Sequence, residues 1–184
     1  MAPHYIFEMN RVTKRYGEKV VLQDISLMFY YGAKIGIVGE NGAGKSTLLK
    51  IMAGIDTDID GDTKLTKGMR VRYVEQEPQL DLDATVRENL MTAVDEIQSK
   101  IDRFNEISIA MGDPDQEDNF DKLMEEMGRL QEEIDAVDGW ELDRMIDIAA
   151  DALVLPPDDA IVRRLSGGER RRVALCMALL EKPD

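Results

Sequence analysis

The chain has 184 residues, 43% of them hydrophobic, and a formal charge of −14. That length can bury a core in one or two domains. The longest apolar run, Val173–Leu180, has eight residues, far short of the ~20 that a membrane-spanning helix needs. The first residues have no basic stretch followed by an apolar one, so no signal peptide is expected. Cys176 is the only cysteine, which excludes an internal disulfide and fits a reducing, cytoplasmic setting. It lies in the apolar run and reads as packed rather than reactive.

Residues 5–12 alternate as a strand does, and Val20–Phe29 is a second strand region. Thr13–Gly17 reads as the turn between them and presents Tyr16. The exposed ring offers a face for a purine base; packing at a strand end is the plainer use. Gly39-Glu40-Asn41-Gly42-Ala43-Gly44-Lys45-Ser46-Thr47 then fits the G-x-x-x-x-G-K-[ST] phosphate loop without mismatch. Lys34–Gly39 before it reads as a short buried strand, and Ser46–Ala53 after it as a helix that Gly54 closes. Glycines let successive N–H groups face a phosphate, and the helix N-terminus adds positive potential. Lys45 is expected on the outer phosphates of a nucleoside triphosphate, and the Ser46 hydroxyl on Mg²⁺.

Asp56–Asp62 looks like the start of a calcium loop, but Lys67 stands where the bidentate glutamate belongs. It reads instead as an acidic turn leading to a strand at Arg70–Val74. Gln76 follows that strand, where its amide can position water or a metal ion; a polar turn before Pro78 is the alternative. Thr85 and Glu88 form a capping box. Apolar residues recur at helical spacing from Val86 to Phe104, and again from Phe120 to Val137. The two stripes predict an antiparallel helical hairpin of about 20–25 residues per helix, some 30–35 Å long, broken at Met111–Asp115. A third helix is expected over Trp140–Leu153, closed by Pro156-Pro157. Leu165-Ser166-Gly167-Gly168-Glu169 opens a last helix with a second capping box, and its serine and glycine N–H groups make a second candidate phosphate site.

Charge is unevenly placed. Residues 81–160 carry 24 acidic against 6 basic side chains, and the rest of the chain 13 against 17. An acidic helical insert repels nucleic acid backbone and suits a basic protein surface; a solvated face kept soluble by charge is the bland alternative.

The phosphate loop, Gln76 and Leu165-Ser-Gly-Gly-Glu169 occur in the order seen in ATP-binding cassette ATPases, with Tyr16 where that family stacks adenine. Within it the chain resembles the ABC-F class, on Ile25-Ser26-Leu27, Gly32–Gly36, Leu48–Asp56, Glu75–Leu80, Thr85–Glu88, Leu165–Cys176 and Leu179–Asp184. The resemblance implies an α/β P-loop cassette core with an antiparallel β subdomain and an inserted helical arm. Residues 1–80 would form the ATP-binding core, 81–160 the helical subdomain with the arm at about 95–139, and 161–184 the signature and its helix. It implies a cytoplasmic ATPase that uses ATP and Mg²⁺, held by residues 39–47, Tyr16, Ser46 and Gln76, and regulates translation near the ribosomal exit site. The acidic arm would meet the large-subunit stalk, and the whole protein would touch tRNA and rRNA, with no membrane partner. Ser166, Gly167, Gly168 and Glu169 would serve the ATP of a second cassette in the same chain. In that family the water-activating acid of the Walker B strand follows Lys-Pro-Asp, where this sequence stops at Asp184, and His4 is too early to be the switch histidine. A fragment that binds ATP without hydrolysing it is therefore expected. A transporter ATPase subunit shares the nucleotide motifs, but the 88 residues between Gln76 and Leu165 exceed the usual helical stretch of such subunits. A regulator that uses nucleotide only as a conformational ligand is the third reading.

Overall fold

The computed structural model describes residues 5–112 and 119–184, and the chain divides into two units. The first contains residues up to 73 together with 182–184; the second is 74–181.

In the first unit, β1 (Tyr5–Tyr16), β2 (Lys19–Tyr30) and β3 (Asp60–Leu65) form an antiparallel sheet in the order β2-β1-β3. Thr13–Tyr16 belongs to β1, so the turn is shorter than expected: Gly17 and Glu18 alone make it, with Tyr16 opposite Lys19. A bulge interrupts β1 at Asn10–Arg11. The extra residue reverses which positions face inward, so Phe7 and Met9 are buried before it and Val12 and Lys14 after it. Arg11 N–H donates to the Ser26 hydroxyl at 3.0 Å, and Asp24 N–H to that of Thr13 at 3.0 Å, which satisfies backbone the bulge frees. Helix α1 (Lys45–Met52) adds Leu48, Ile51 and Met52 to the core of Phe7, Met9, Val12 and Leu22. It ends as expected, with Gly54 at φ 70° and bonds from Gly54 N–H to Ile51 and Ile55 N–H to Lys50, a Schellman motif.

Two expected strands are absent. Residues 34–39 and 70–74 have no strand pairing, and Val38 is 96% exposed. An apolar run of this kind is stable as a strand only with neighbours on its edges and cover on its faces. Among the described residues neither run has a paired neighbour, since the sheet consists of β2, β1 and β3 alone. The strand after the acidic turn is thus Asp60–Leu65, not Arg70–Val74.

The second unit is helical. α2 (Val86–Thr92) and α3 (Asp95–Ala110) replace the single helix expected there. The end of α2 tightens into i→i−3 bonds, from Ala93 N–H to Leu90 and Val94 N–H to Met91. The break keeps Val94 in the core and lets α3 leave to pair with α4 (Phe120–Asp135). Arg103 bonds Glu126 at 2.8 and 3.0 Å and Lys100 meets Glu133 at 3.1 Å, which fixes an antiparallel register. Each helix has 16 residues, so the pair spans about 24 Å rather than 30–35 Å. The expected break at Met111–Asp115 falls partly outside the described residues.

A 3₁₀ turn at Gly139–Glu141 leads into α5 (Leu142–Ala152), which packs with α2 and α6 (Gly167–Leu180) around Leu90, Ile146, Val162, Val173 and Cys176. Burial pushes the Cys176 thiol up, as a packed, unreactive cysteine should behave. Val86 and Arg87 N–H donate to the Ala160 and Asp158 carbonyls, and Arg87 ion-pairs with Asp143, Asp147 and Asp158.

Two glycines give opposite outcomes. A Cβ on Gly61, at φ +96°, would lie 2.5 Å from the Arg11 carbonyl oxygen. Gly61→Ala is expected to destabilise the protein by about 2–3 kcal/mol. Gly128, inside α4, has nothing within 4 Å of an added Cβ. Gly128→Ala is expected to stabilise it by about 0.5–1 kcal/mol. Chemical denaturation of both variants checks the pair.

Candidate nucleotide site

The phosphate loop begins with a tight turn in which Ala43 N–H donates to the Glu40 carbonyl at 3.2 Å. Gly42 and Gly44 both adopt left-handed conformations, with φ of 84° and 95°. Gly44 is the N-cap of α1, so no side chain caps the N–H groups of Lys45, Ser46 and Thr47. The first turn of α1 also contains no acid. Lys45 Nζ donates to the Gly39 and Glu40 carbonyls, 2.7 Å each. These are neutral acceptors, so a phosphate can replace them without breaking an ion pair. Glu40, Asn41 and Ser46 are exposed. The donors are therefore an ammonium, backbone N–H groups and a hydroxyl, a set that fits a magnesium-bound phosphate chain.

Tyr16 is 52% exposed at the end of β1. Its hydroxyl donates to Asp56 Oδ2 at 3.1 Å. Lys14, only 3% exposed, bonds Asp56 Oδ1 at 2.7 Å and the Asp58 carbonyl at 2.6 Å. The bond to Asp56 holds the Lys14 ammonium above its ordinary value, and the same bond holds the Asp56 carboxyl below its own. Arg15 pairs with Asp60 at 2.6 Å. The carboxylates that looked like the start of a calcium loop are thus turned toward the protein's own cations. Among the described residues no group of three His, Cys, Asp or Glu side chains is placed to hold a metal ion.

The structure thus brings Tyr16 and the phosphate loop into one unit, while Gln76 and Ser166–Glu169 belong to the other. Gln76 lies on a bend rather than at a strand end, exposed, with its carbonyl accepting from Arg171 Nε at 2.8 Å. Ser166 caps α6 in a full capping box, and Gly167 and Gly168 are exposed in its first turn. The Ser166 hydroxyl and N–H each donate to Glu169 at 2.7 Å and hold that carboxyl below its ordinary value.

A family model described as "ABC transporter" matches residues 22–184. The chain belongs to this family of ATP-binding cassettes. It is 53% identical over 180 residues to the energy-dependent translational throttle protein EttA of Mycobacterium tuberculosis, covering 98% of this chain and 32% of that one. Against the Escherichia coli protein of the same name it is 51% identical over 181 residues, with 98% and 32% covered. The tylosin resistance ATP-binding protein TlrC of Streptomyces fradiae is 34% identical over 185 residues, with 100% of this chain and 34% of that one covered. The chain thus spans about a third of the length of the curated relatives it matches. A solved ATP-binding subunit of an ABC transporter has the same fold, with a TM-score of 0.65 over 97% of this cassette and 63% of that chain, at 18% identity. Among the described residues no helix is long and apolar enough to cross a membrane.

The pairing of Lys14 with Asp56 is not legible in the sequence, where Asp56 stands in an acidic turn and Lys14 in the turn before Gly17. The structure instead places Lys14 in β1, and the bulge at Asn10–Arg11 turns it inward.

Gly44→Ala tests the loop. A Cβ there would approach Val21 and Leu22 side chains at 3.0 Å, at φ +95°. Triphosphate binding should fall at least about tenfold, read by titration calorimetry. The Glu169 box makes a pH prediction. A lowered folded pKa contributes stability that is complete above the ordinary value of 4.5 and is lost as pH falls through the folded value. Glu169→Gln should flatten the stability curve below pH 4.5, measured by denaturation across that range.

Proposed function

We propose that this cassette is the ATP-binding part of a ribosome-associated ABC-F ATPase that regulates translation. The reading is carried by the 49–53% identity, over 98% or more of the chain, to proteins named for a translational throttle. The matched span, 98% or more of the chain, takes in most or all of the arm together with the phosphate loop. In this reading Tyr16 stacks the adenine, residues 39–45 and Thr47 surround the phosphates, and Ser46 holds Mg²⁺, with Gln76 facing metal or water. Bound Mg²⁺ would neutralise charge on the β- and γ-phosphates. Lys45 would exchange its two carbonyl partners for phosphate oxygens. Ser166, Gly167, Gly168 and Glu169 would face the ATP of a second cassette, and the water-activating acid is proposed to lie outside residues 1–184.

The partner follows from charge. Helices α3 and α4 carry ten acidic and four basic side chains. Lys100 and Arg103 are already paired to glutamates. The acidic excess favours a basic protein of the large-subunit stalk over rRNA or tRNA, which the rest of the whole protein would contact. The likeness to transporter subunits, at 18–20% identity, speaks for the fold alone.

Ribosome co-sedimentation of the intact protein, with its water-activating acid replaced so that ATP persists, tests this reading. Pelleting is expected to require ATP and to weaken at least about fivefold when residues 95–139 are deleted. Absence of pelleting with and without ATP would return the transporter reading to the front.

A further inference from the structure

The first unit contains a charged cluster that the phosphate loop does not need. Lys14 Nζ sits 5.0 Å from the centroid of the Tyr16 ring. The same ammonium bonds Asp56 at 2.7 Å, the Asp58 carbonyl at 2.6 Å and the Asp58 carboxylate at 3.2 Å. Asp56 in turn accepts from the Tyr16 hydroxyl at 3.1 Å and from Asp58 N–H at 3.3 Å. Its own N–H donates to the Lys50 carbonyl in the last turn of α1. One carboxylate therefore joins the ring, the cation behind it and the helix that starts at Lys45.

We propose that Lys14 and Asp56 are positioning residues for the base of the nucleotide: they hold Tyr16 in one orientation and charge one side of its ring, so that a purine stacks on the other. The inference rests on the reading of the cassette as an ATP site. The hydroxyl bond fixes how far the ring reaches, and the ammonium fixes its tilt. A cation on one side of an aromatic ring draws π density toward itself and leaves the opposite face more attractive to an electron-rich base. Tyr16 is 52% exposed although its hydroxyl is tied down, so the side chain is both accessible and held. Such a platform loses little rotamer freedom on binding. The bond between Lys14 and Asp56 keeps both groups charged through the neutral range. Because Asp56 follows α1 directly, base and phosphate subsites are built on the two ends of one helix.

The test compares ATP with inorganic tripolyphosphate, which has the phosphates and no base. Both are titrated calorimetrically into the intact protein, with Lys45→Ala as the blank for this site. Lys14→Met and Asp56→Asn are expected to weaken ATP about five- to tenfold and to leave tripolyphosphate within about twofold. Tyr16→Phe removes only an exposed hydroxyl and should weaken ATP about two- to threefold with tripolyphosphate unchanged. In a Tyr16→Ala background, Lys14→Met should weaken ATP no further, because the platform it supports is gone. Equal losses for both ligands, or a Lys14→Met effect that persists without Tyr16, would reduce the cluster to a structural clamp and overturn the proposal. Unchanged ATP affinity in Lys14→Met and Tyr16→Phe would overturn it too. If the unsubstituted protein shows no Lys45-dependent ATP binding, the nucleotide reading fails and this inference fails with it.

Discussion

An ammonium with only 3% of its surface exposed has to be paired, and Lys14 organises the first unit around that requirement. Its partners come from the turn after α1, more than forty residues along the chain. Satisfying the charge therefore docks that turn against β1. The turn leads straight into β3, which adds to the other edge of β1. The bulge at Asn10–Arg11 is the precondition, because without the extra residue Lys14 would face the opposite side. Gly61 then has to be a glycine, since it runs over the bulged backbone with no room for a Cβ.

The second unit solves a different problem, that of helix ends with unsatisfied N–H groups. It uses the same device twice. Thr85 with Glu88, and Ser166 with Glu169, form reciprocal capping boxes, and in both the glutamate is held below its ordinary value by the cap it closes. The two boxes differ in what surrounds them. The α2 terminus is also closed by the carbonyls of Ala160 and Asp158, whereas α6 opens with two exposed glycines. Glycine removes side-chain cover from a helix start and leaves its backbone donors open to an approaching anion. A capping serine followed by two exposed glycines in the first turn thus combines a firm anchor with an open donor face.

Local signals in the sequence were sufficient wherever the physics is local. Phosphate loop, capping boxes, the Gly54 helix stop and the two apolar stripes each depend on residues within about one or two turns of each other. The caps, the helix stop and the helical character of both stripes are present in the structure, although the first stripe is split between α2 and α3 and the phosphate loop is not preceded by a strand. Features that depend on distant partners were not legible. The parity change in β1 depends on a bulge that no motif announces. The break at Ala93–Val94 follows from a competition: Val94 belongs to the α2–α5–α6 core, while Ile107, further along the same stripe, is buried in α3 beside α4. One straight helix could not serve both. Ile35 to Val38 has the composition of a buried strand, but a strand needs a partner, and among the described residues none pairs with it. Of the site, the phosphate cradle could be read directly, whereas the support behind Tyr16 could not, because it joins residues from β1 to a turn more than forty positions away.

The arm shows how composition and geometry divide the work. Its register is set by cations, since Lys100 and Arg103 each bridge from α3 to a glutamate on α4. The guanidinium of Arg103 engages Glu126 through two nitrogens, a planar match that a lysine cannot make. Apolar contact supplies the rest, through Ile107, Leu130 and Ile134. Gly139 closes the base of the pair by lying where a side chain would collide with Ile97 and Ile134. Trp140 bonds Asp135 at 2.6 Å and stands edge-on to Phe104 at 5.0 Å, which braces the same end. Both central cations are committed to holding the helices together, and the ion pairs seen among the described residues involve only Glu96, Glu106, Glu126 and Glu133 of the ten carboxylates. The same residues that set the register of the arm leave its net charge negative. An acidic helix pair of this kind attracts basic surfaces, and that attraction weakens as salt screens it.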